Sequence, residues 1–162
     1  RTIITKVKKL GAKVILDTDG DALKYGIEGY PYAIKPNIFE LSGLVGRELS
    51  TLEEIIEIAI SIQKKGVDIV LVSMGAGGII LVGDRMRYLG VPPPIKVKNT
   101  IGAGDSAVAG FIYGIASGYD MENCLKYSVA SGTATTLKEG TALAEKEEVM
   151  DLFPHIHFQT LD

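Results

Sequence analysis

Between Asn99 and Phe111 the chain reads NTIGAGDSAVAGF, with two glycines and an aspartate set directly before a helix of small residues. Gly102 and Gly104 carry no Cβ, so the backbone can take left-handed dihedrals and come close to a ligand. Successive amides at a helix N-terminus point the same way and the helix dipole adds partial positive charge, which makes the amides of Gly102, Ala103 and Gly104 an anion site. Asp105 puts a carboxylate beside it. A negative side chain works against simple capture of phosphate. It fits a site where the carboxylate takes the proton of a hydroxyl attacking that phosphate, while the amides neutralise charge building on the transferred group. The plainer alternative is a turn followed by an acid in the first helical turn, stabilising by about 0.3–1 kcal/mol. Ala109, Gly110 and Gly114 in the helix interior count against it, because glycine there costs about 1 kcal/mol relative to alanine. Such a helix is built for close approach.

Two further segments hold residues of the same kind. In IKPNIFEL, Pro36 keeps Lys35 extended, while Asn37 and Glu40 are three apart at a helix start and share one face. An amide and a carboxylate so placed suit the water shell of magnesium and phosphate oxygens; equally, Asn37 is an N-cap that Glu40 completes. SMGAGG, Ser73 to Gly78, follows an apolar strand, and its glycines either admit a nucleotide or turn the chain. His155 and His157 alternate on a strand-like segment with no third ligand nearby and read as surface histidines. Cys124 lies within a helix and reads as a small buried hydrophobe.

These residues need elements to hold them. KVILDTD (13–19) and YAIKPN (32–37) read as buried parallel strands, the second stopped by Pro36, and VDIVLVS (67–73) as a central one. STLEEIIEIAISIQKKG is the clearest helix: Ser50 and Glu53 have capping-box spacing, and Leu52, Ile55, Ile56, Ala59 and Ile60 form an apolar stripe. GIILVGDRMRYLGV reads as a hairpin turning at Gly83 and Asp84. A helix follows from about Asp105 to Ser117 with Val108, Phe111, Ile112 and Ile115 on one side, then a small-residue helix from Met121 to Lys138 and a last one beginning near Glu145. HIHFQTL is an edge strand. Alternating strands and helices predict a layered α/β fold with a mostly parallel sheet, whose ligands collect at the carboxyl ends of the strands.

The chain has 162 residues, enough for one domain with a real core at 46% apolar content. A net charge of −3, spread over both signs, gives no reason to expect nucleic acid or an anionic membrane as partner. No apolar run reaches the roughly 18 residues of a membrane span. One cysteine excludes an internal disulfide and a cysteine-only zinc site, and fits a reduced, cytoplasmic setting. The first residue is Arg1, and RTIITKVKKLGAK begins in mid-helix, which predicts a fragment or a processed product.

NTIGAGDSAVAGFIYG resembles the C-terminal signature of the ribokinase-like sugar kinases, the phosphofructokinase B family, whose pattern is approximately D-T-x-G-A-G-D-x-F-x-A-G. The resemblance implies the family's fold, three-layered with a mostly parallel sheet, residues 1–162 forming the C-terminal nucleotide-binding and catalytic part without the N-terminal half and its lid. It implies Asp105 as catalytic base and the Gly102, Ala103 and Gly104 amides as anion hole. It further implies Lys35, Asn37, Ser73, Gly75 and Gly78 as ATP-binding, with Glu40, directly or through water, and Asn37 serving magnesium. ATP and Mg2+ are the implied cofactors and a sugar phosphate the implied partner; a homodimer is one assembly open to the chain, which the sequence does not decide. Some members also use a monovalent cation near the loop that here holds Lys138 and Gly140; Asn99, where aspartate is common, counts against that site, while Ala107 for phenylalanine alters packing. LDTDGDALKYGI, KPNIFEL and GTALAEKEEVMDLFP are most similar to the 1-phosphofructokinase and tagatose-6-phosphate kinase branch. The expected reaction is ATP-dependent phosphorylation of a phosphorylated ketohexose, with this chain alone inactive. Two alternatives stand beside it. One is a non-catalytic nucleotide-binding fragment. The other, a dinucleotide-dependent oxidoreductase, meets a loose G-x-G-x-x-A at GAGDSA but lacks a good preceding strand and an acidic ribose partner.

Overall fold

Runs of branched apolar residues alternate with amphipathic segments along the chain, and in the computed structural model, which describes residues 1–161, they form strands and helices in the same alternation. The order is α1 (Thr2–Lys9), β1 (Ile15–Leu16), α2 (Gly20–Ile27), β2 (Ala33–Ile34), α3 (Ile38–Val45), α4 (Leu52–Lys64), β3 (Ile69–Ser73), β4 (Ile79–Gly83), β5 (Met86–Val91), α5 (Ala103–Ala116), α6 (Met121–Thr136), α7 (Lys146–Leu152) and β6 (His157–Thr160). The strands follow one another in the sheet in that same order. The sheet is mixed. β1 and β2 are parallel, with Ile15 opposite Ala33, and β2 and β3 are parallel, with Ala33 opposite Ile69. β5 and β6 are antiparallel, from Tyr88 opposite Thr160 to Val91 opposite His157. Among the described residues no helix is long and apolar enough to cross a membrane.

The chain divides into two compact units, Arg1–Met74 with Ile80–Arg87, and Gly75–Ile79 with Tyr88–Leu161. In the first, Ile34, Leu41, Ala59, Val67 and Val70 to Val72 are wholly buried. β1 and β2 are shorter than the runs 13–19 and 32–37 suggest, because the chain leaves the regular ladder where Asp17 and Lys35 begin the loops. The cap of α4 sits one residue later than Ser50 and Glu53: Thr51 accepts from Glu54 N, and the Glu54 carboxylate accepts from Thr51 N. The spacing is the same; in the later register Glu54 also accepts from Ser50 N at 2.9 Å and receives the Arg47 guanidinium. Ile55, Ala59 and Ile62 are the buried face, with Leu52, Ile56 and Ile60 half-buried at its sides. The hairpin turns at Asp84 and Arg85 rather than at Gly83. Gly83 stays in β4, where a Cβ would lie 2.9 Å from Ile69 Cδ1.

In the second unit, α5 and α6 pack against each other along small residues. The face of α5 predicted from Val108, Phe111, Ile112 and Ile115 is wrong in part: Ala107, Gly110, Phe111 and Gly114 are buried, and Ile112 is 46% exposed. Size was the misleading cue, since α6 comes too close for anything larger at positions 110 and 114. A Cβ on Gly110 would lie 2.3 Å from the Tyr127 carbonyl oxygen, and one on Gly114 would lie 2.8 Å from Cys124 Cα. Ser128 Oγ donates to the Ala107 carbonyl at 2.9 Å, and Thr135 Oγ1 donates to Ser106 Oγ at 2.8 Å. α6 opens on Asp120, whose carboxylate accepts from Asn123 N at 2.8 Å.

Gly110→Ala sets two effects against each other. Helix propensity favours alanine by about 1 kcal/mol, whereas forcing a methyl against a backbone carbonyl costs about 1–3 kcal/mol or more. The clash wins. Urea denaturation is expected to show a net loss of stability, and a gain would contradict the close contact.

Candidate functional site

In the first unit the carboxyl ends of three parallel strands bring Lys35, Asn37 and Ser73 side by side. Lys35 follows β2, its amide bonded to the Leu16 carbonyl at 3.2 Å, and Asn37 forms an isolated parallel bridge with Ser73, the last residue of β3. Lys35 is 5% exposed and its Nζ lies 3.3 Å from Asp17 Oδ1, at the end of β1. Asn37 and Glu40 form a complete capping box at the start of α3: Asn37 Oδ1 accepts from Glu40 N at 2.9 Å, and Glu40 Oε2 accepts from Asn37 N at 2.8 Å. The box occupies one oxygen of each side chain and fixes both orientations. Asp17 was not singled out in the sequence, although its place at the end of a β-branched run, in LDTD, is where an α/β sheet presents ligand-binding groups.

Gly75 and Gly78 belong to the second unit and differ in what they require. Gly75 opens a short 3-10 turn, Gly75–Gly77, with φ +60°, and a Cβ there would meet nothing within 4 Å. Gly78 has φ +88°, and a Cβ would lie 1.9 Å from the Gly90 carbonyl oxygen. Gly78 is therefore fixed by packing; Gly75 faces open space.

Gly102 is the N-cap of α5, with φ 76° and ψ −3°, so its glycine is required by a left-handed backbone. Helix geometry leaves the first-turn amides of Ala103, Gly104 and Asp105 without acceptors inside the helix; that of Ala103 makes a long, 3.3 Å contact with the Thr100 carbonyl. Asp105 is exposed in this turn, and no side-chain cap bond is made at this helix start. Asn99 braces the turn. Its Oδ1 accepts from Ile101 N at 2.9 Å and its Nδ2 donates to the Gly140 carbonyl, while Lys98 N is bonded to the Thr136 carbonyl at 2.9 Å. An aspartate at position 99 could not donate. Beside Ser106 a mostly apolar cavity of 340 Å³ opens between α5, α6 and α7, with Gly110, Tyr113, Thr135, Leu143 and Met150 in its wall. Cys124 is buried in α6; His155 ends a 3-10 turn and only His157 lies on β6, so the two exposed histidines do not alternate on one strand.

The sequence profile of the pfkB family carbohydrate kinases matches residues 2–148. The chain belongs to this family. It is 36% identical to the 1-phosphofructokinase of Borreliella burgdorferi over 150 residues, which are 92% of this chain and 48% of that protein. It is 33% identical to the ATP-dependent 6-phosphofructokinase isozyme 2 of Escherichia coli over 156 residues, 95% of this chain and 50% of the relative. The crystal structure of phosphofructokinase-2 from Escherichia coli, in complex with substrates and products, superposes with a TM-score of 0.89 at 33% identity, over 94% of this chain and 50% of that one. The α/β fold with its mixed sheet is thus a pfkB fold, and the chain spans about half the length of the relatives it matches.

The segment that follows α6 and lines this cavity is tied down by a bidentate ion pair, Lys138 Nζ to Glu148 Oε1 at 2.8 Å and Oε2 at 3.0 Å. The Lys138 ammonium, and after it the Glu145 amide, hold the Glu148 carboxyl below the usual carboxylate range; Glu148 in turn holds Lys138 above the usual lysine value. The carboxyl's contribution is therefore present above its unfolded pKa and lost as pH falls through the lowered folded value. The lysine's is full below its unfolded pKa and lost as pH rises through the raised one. Glu148→Gln is expected to melt at a lower temperature than wild type at neutral pH, with the gap closing at both extremes. A gap that persists unchanged into acid would assign the loss to packing instead of charge.

Proposed function

We propose that this chain is the C-terminal, nucleotide-binding and catalytic part of an ATP-dependent kinase whose acceptor is a hydroxyl of a phosphorylated ketohexose. The observation that carries the proposal is the first turn of α5, where a left-handed Gly102 leads into amides without helical acceptors and Asp105 stands among them. The family, and relatives named 1-phosphofructokinase and 6-phosphofructokinase, support the substrate class.

In this reading Asp105 accepts the proton of the attacking hydroxyl and aligns it with the γ-phosphate. A helix N-terminus favours the ionised carboxylate and so weakens it as a base, but a loose phosphoryl-transfer transition state needs little early proton transfer. The amides of Gly102, Ala103 and Gly104 stabilise the charge on the transferred group. Lys35, Asn37, Ser73, Gly75 and Gly78 serve the nucleotide, Gly78 by shaping the turn rather than by touching the ligand. For magnesium the donors are of the right kind, hard oxygens of a carboxylate and an amide. Since the capping box uses Glu40 Oε2 and Asn37 Oδ1, the remaining carboxylate oxygen of Glu40 would hold the ion, directly or through water. Bound there, it would neutralise phosphate charge. No monovalent cation enters the proposal, because the Asn99 amide already meets the Gly140 carbonyl.

The decisive variant is Asp105→Asn in the full-length protein that contains this chain. Turnover is expected to fall by about 10²–10⁴-fold, the usual contribution of a positioned base, with MgATP affinity little changed. Near-normal turnover would remove the role of Asp105. Screening fructose 1-phosphate, tagatose 6-phosphate, fructose 6-phosphate and ribose in a coupled ADP-release assay identifies the acceptor. The 162-residue chain alone is expected to bind nucleotide with little or no turnover; measurable turnover by it would contradict the assignment of sugar contacts to the other half.

A further inference from the structure

Lys35 places a cation where its neighbours are apolar. Ala33 and Ile34 before it are wholly buried, and the lysine side chain is 6% exposed. Taking an ammonium out of water is unfavourable unless an opposite charge is in reach, and even a good buried pair is often no more stabilising than apolar residues of the same volume. Stability is thus a poor reason for a lysine at this position. Its partner is Asp17, Oδ1 3.3 Å from Nζ, with 28% of the aspartate side chain exposed. Backbone hydrogen bonds set the two residues in register: Ala33 N to the Val14 carbonyl and Lys35 N to the Leu16 carbonyl, each at 3.2 Å. The pair therefore stands at the carboxyl edge of parallel strands, next to the Asn37–Ser73 bridge. An ammonium has three N–H donors in a rotatable head. The Asp17 carboxylate, 3.3 Å from Nζ, holds that head in place by charge and leaves its donors to other acceptors.

We propose that Asp17 is a positioning residue, holding the Lys35 ammonium at the strand edge by charge so that its donors meet the β- or γ-phosphate of a nucleotide. This rests on the assignment of Lys35 to the nucleotide. Asp17 acts only through Lys35, which separates it from a residue that touches the ligand or merely supports the fold.

The test is calorimetric titration of the 162-residue chain with MgATP and with AMP, for wild type, Asp17→Asn, Asp17→Glu, Lys35→Met and the double variant Asp17→Asn/Lys35→Met. Asp17→Asn is expected to weaken MgATP about tenfold or more, the effect of a lost charge-assisted hydrogen bond, while AMP binding holds. Asp17→Glu, which keeps the charge and moves it by one methylene, falls between wild type and Asp17→Asn. The double variant binds MgATP no more weakly than Lys35→Met. Wild-type MgATP affinity in Asp17→Asn overturns the proposal, as does a double variant whose loss is the product of the two single losses. Lys35→Met binding MgATP as wild type does, or a wild-type chain that binds no MgATP, overturns the nucleotide assignment first and the role of Asp17 with it. Circular dichroism melts establish that each variant folds. Should Asp17→Asn not fold, Asp17→Glu decides by its ratio of MgATP to AMP affinity, which must fall; an unchanged ratio overturns the proposal.

Discussion

Helices α5 and α6 lie as close as they do because three side chains are missing. Positions 110 and 114 on one helix and 132 on the other are glycine, and a Cβ at 132 would come within 3.1 Å of the Ala103 carbonyl. Close approach brings Ser128 and Thr135 within hydrogen-bonding distance of Ala107 and Ser106. Such bonds are directional, so they fix the rotation of α5 as well as its distance. The first turn of α5 inherits that placement. Three glycines in helix interiors forgo about 1 kcal/mol each of propensity, and what the fold gains is a helix N-terminus held from the side by a second helix instead of by a bulky core.

The first unit reaches comparable precision by other means. There the register of short parallel strands, not helix contact, sets side chains beside one another: one main-chain bond aligns Lys35 with Leu16, and another joins Ser73 N to the Pro36 carbonyl at 3.0 Å. Pro36 has no N–H to donate, yet its carbonyl still extends the pairing toward β3. The capping box then launches α3 directly from this edge. Polar side chains so fixed by backbone geometry lose little entropy on meeting a ligand, which is what a binding edge needs.

Much of this was legible in the sequence, because the strongest signals are local. GAGD before a small-residue run announces its turn, and a run such as VDIVLVS has few ways to be buried other than as a strand. Where two registers satisfy the same rule, local pattern does not choose. Ser50/Glu53 and Thr51/Glu54 have equal spacing, and in the register observed Glu54 gathers the Ser50 and Thr51 amides and the Arg47 guanidinium. The buried face of α5 was misread in part because hydrophobic periodicity weighs large residues, whereas the neighbouring helix admits only glycine at 110 and 114. Asp17 was overlooked for a different reason: its place at a strand end could be read, but its pairing with the residue that follows β2 leaves no spacing to read.

Position N3 of these helices sharpens the case for Asp105. Glu40 in α3, Glu54 in α4 and Glu148 in α7 each occupy N3, and each accepts from the main-chain amide of its own N-cap residue. In each of them one carboxylate oxygen is committed to the cap. Asp105 is the N3 residue of α5, yet its N-cap is Gly102 in a left-handed conformation rather than the extended one of Asn37, Thr51 and Glu145, and no cap bond forms. A left-handed cap residue aims its amide differently from an extended one, and aspartate is a methylene shorter than the glutamate the box prefers. The left-handed glycine thus denies the neighbouring acid the capping-box partner that the other three have. Asp105 is therefore left exposed at the helix start with no hydrogen bond that holds its carboxylate to the cap.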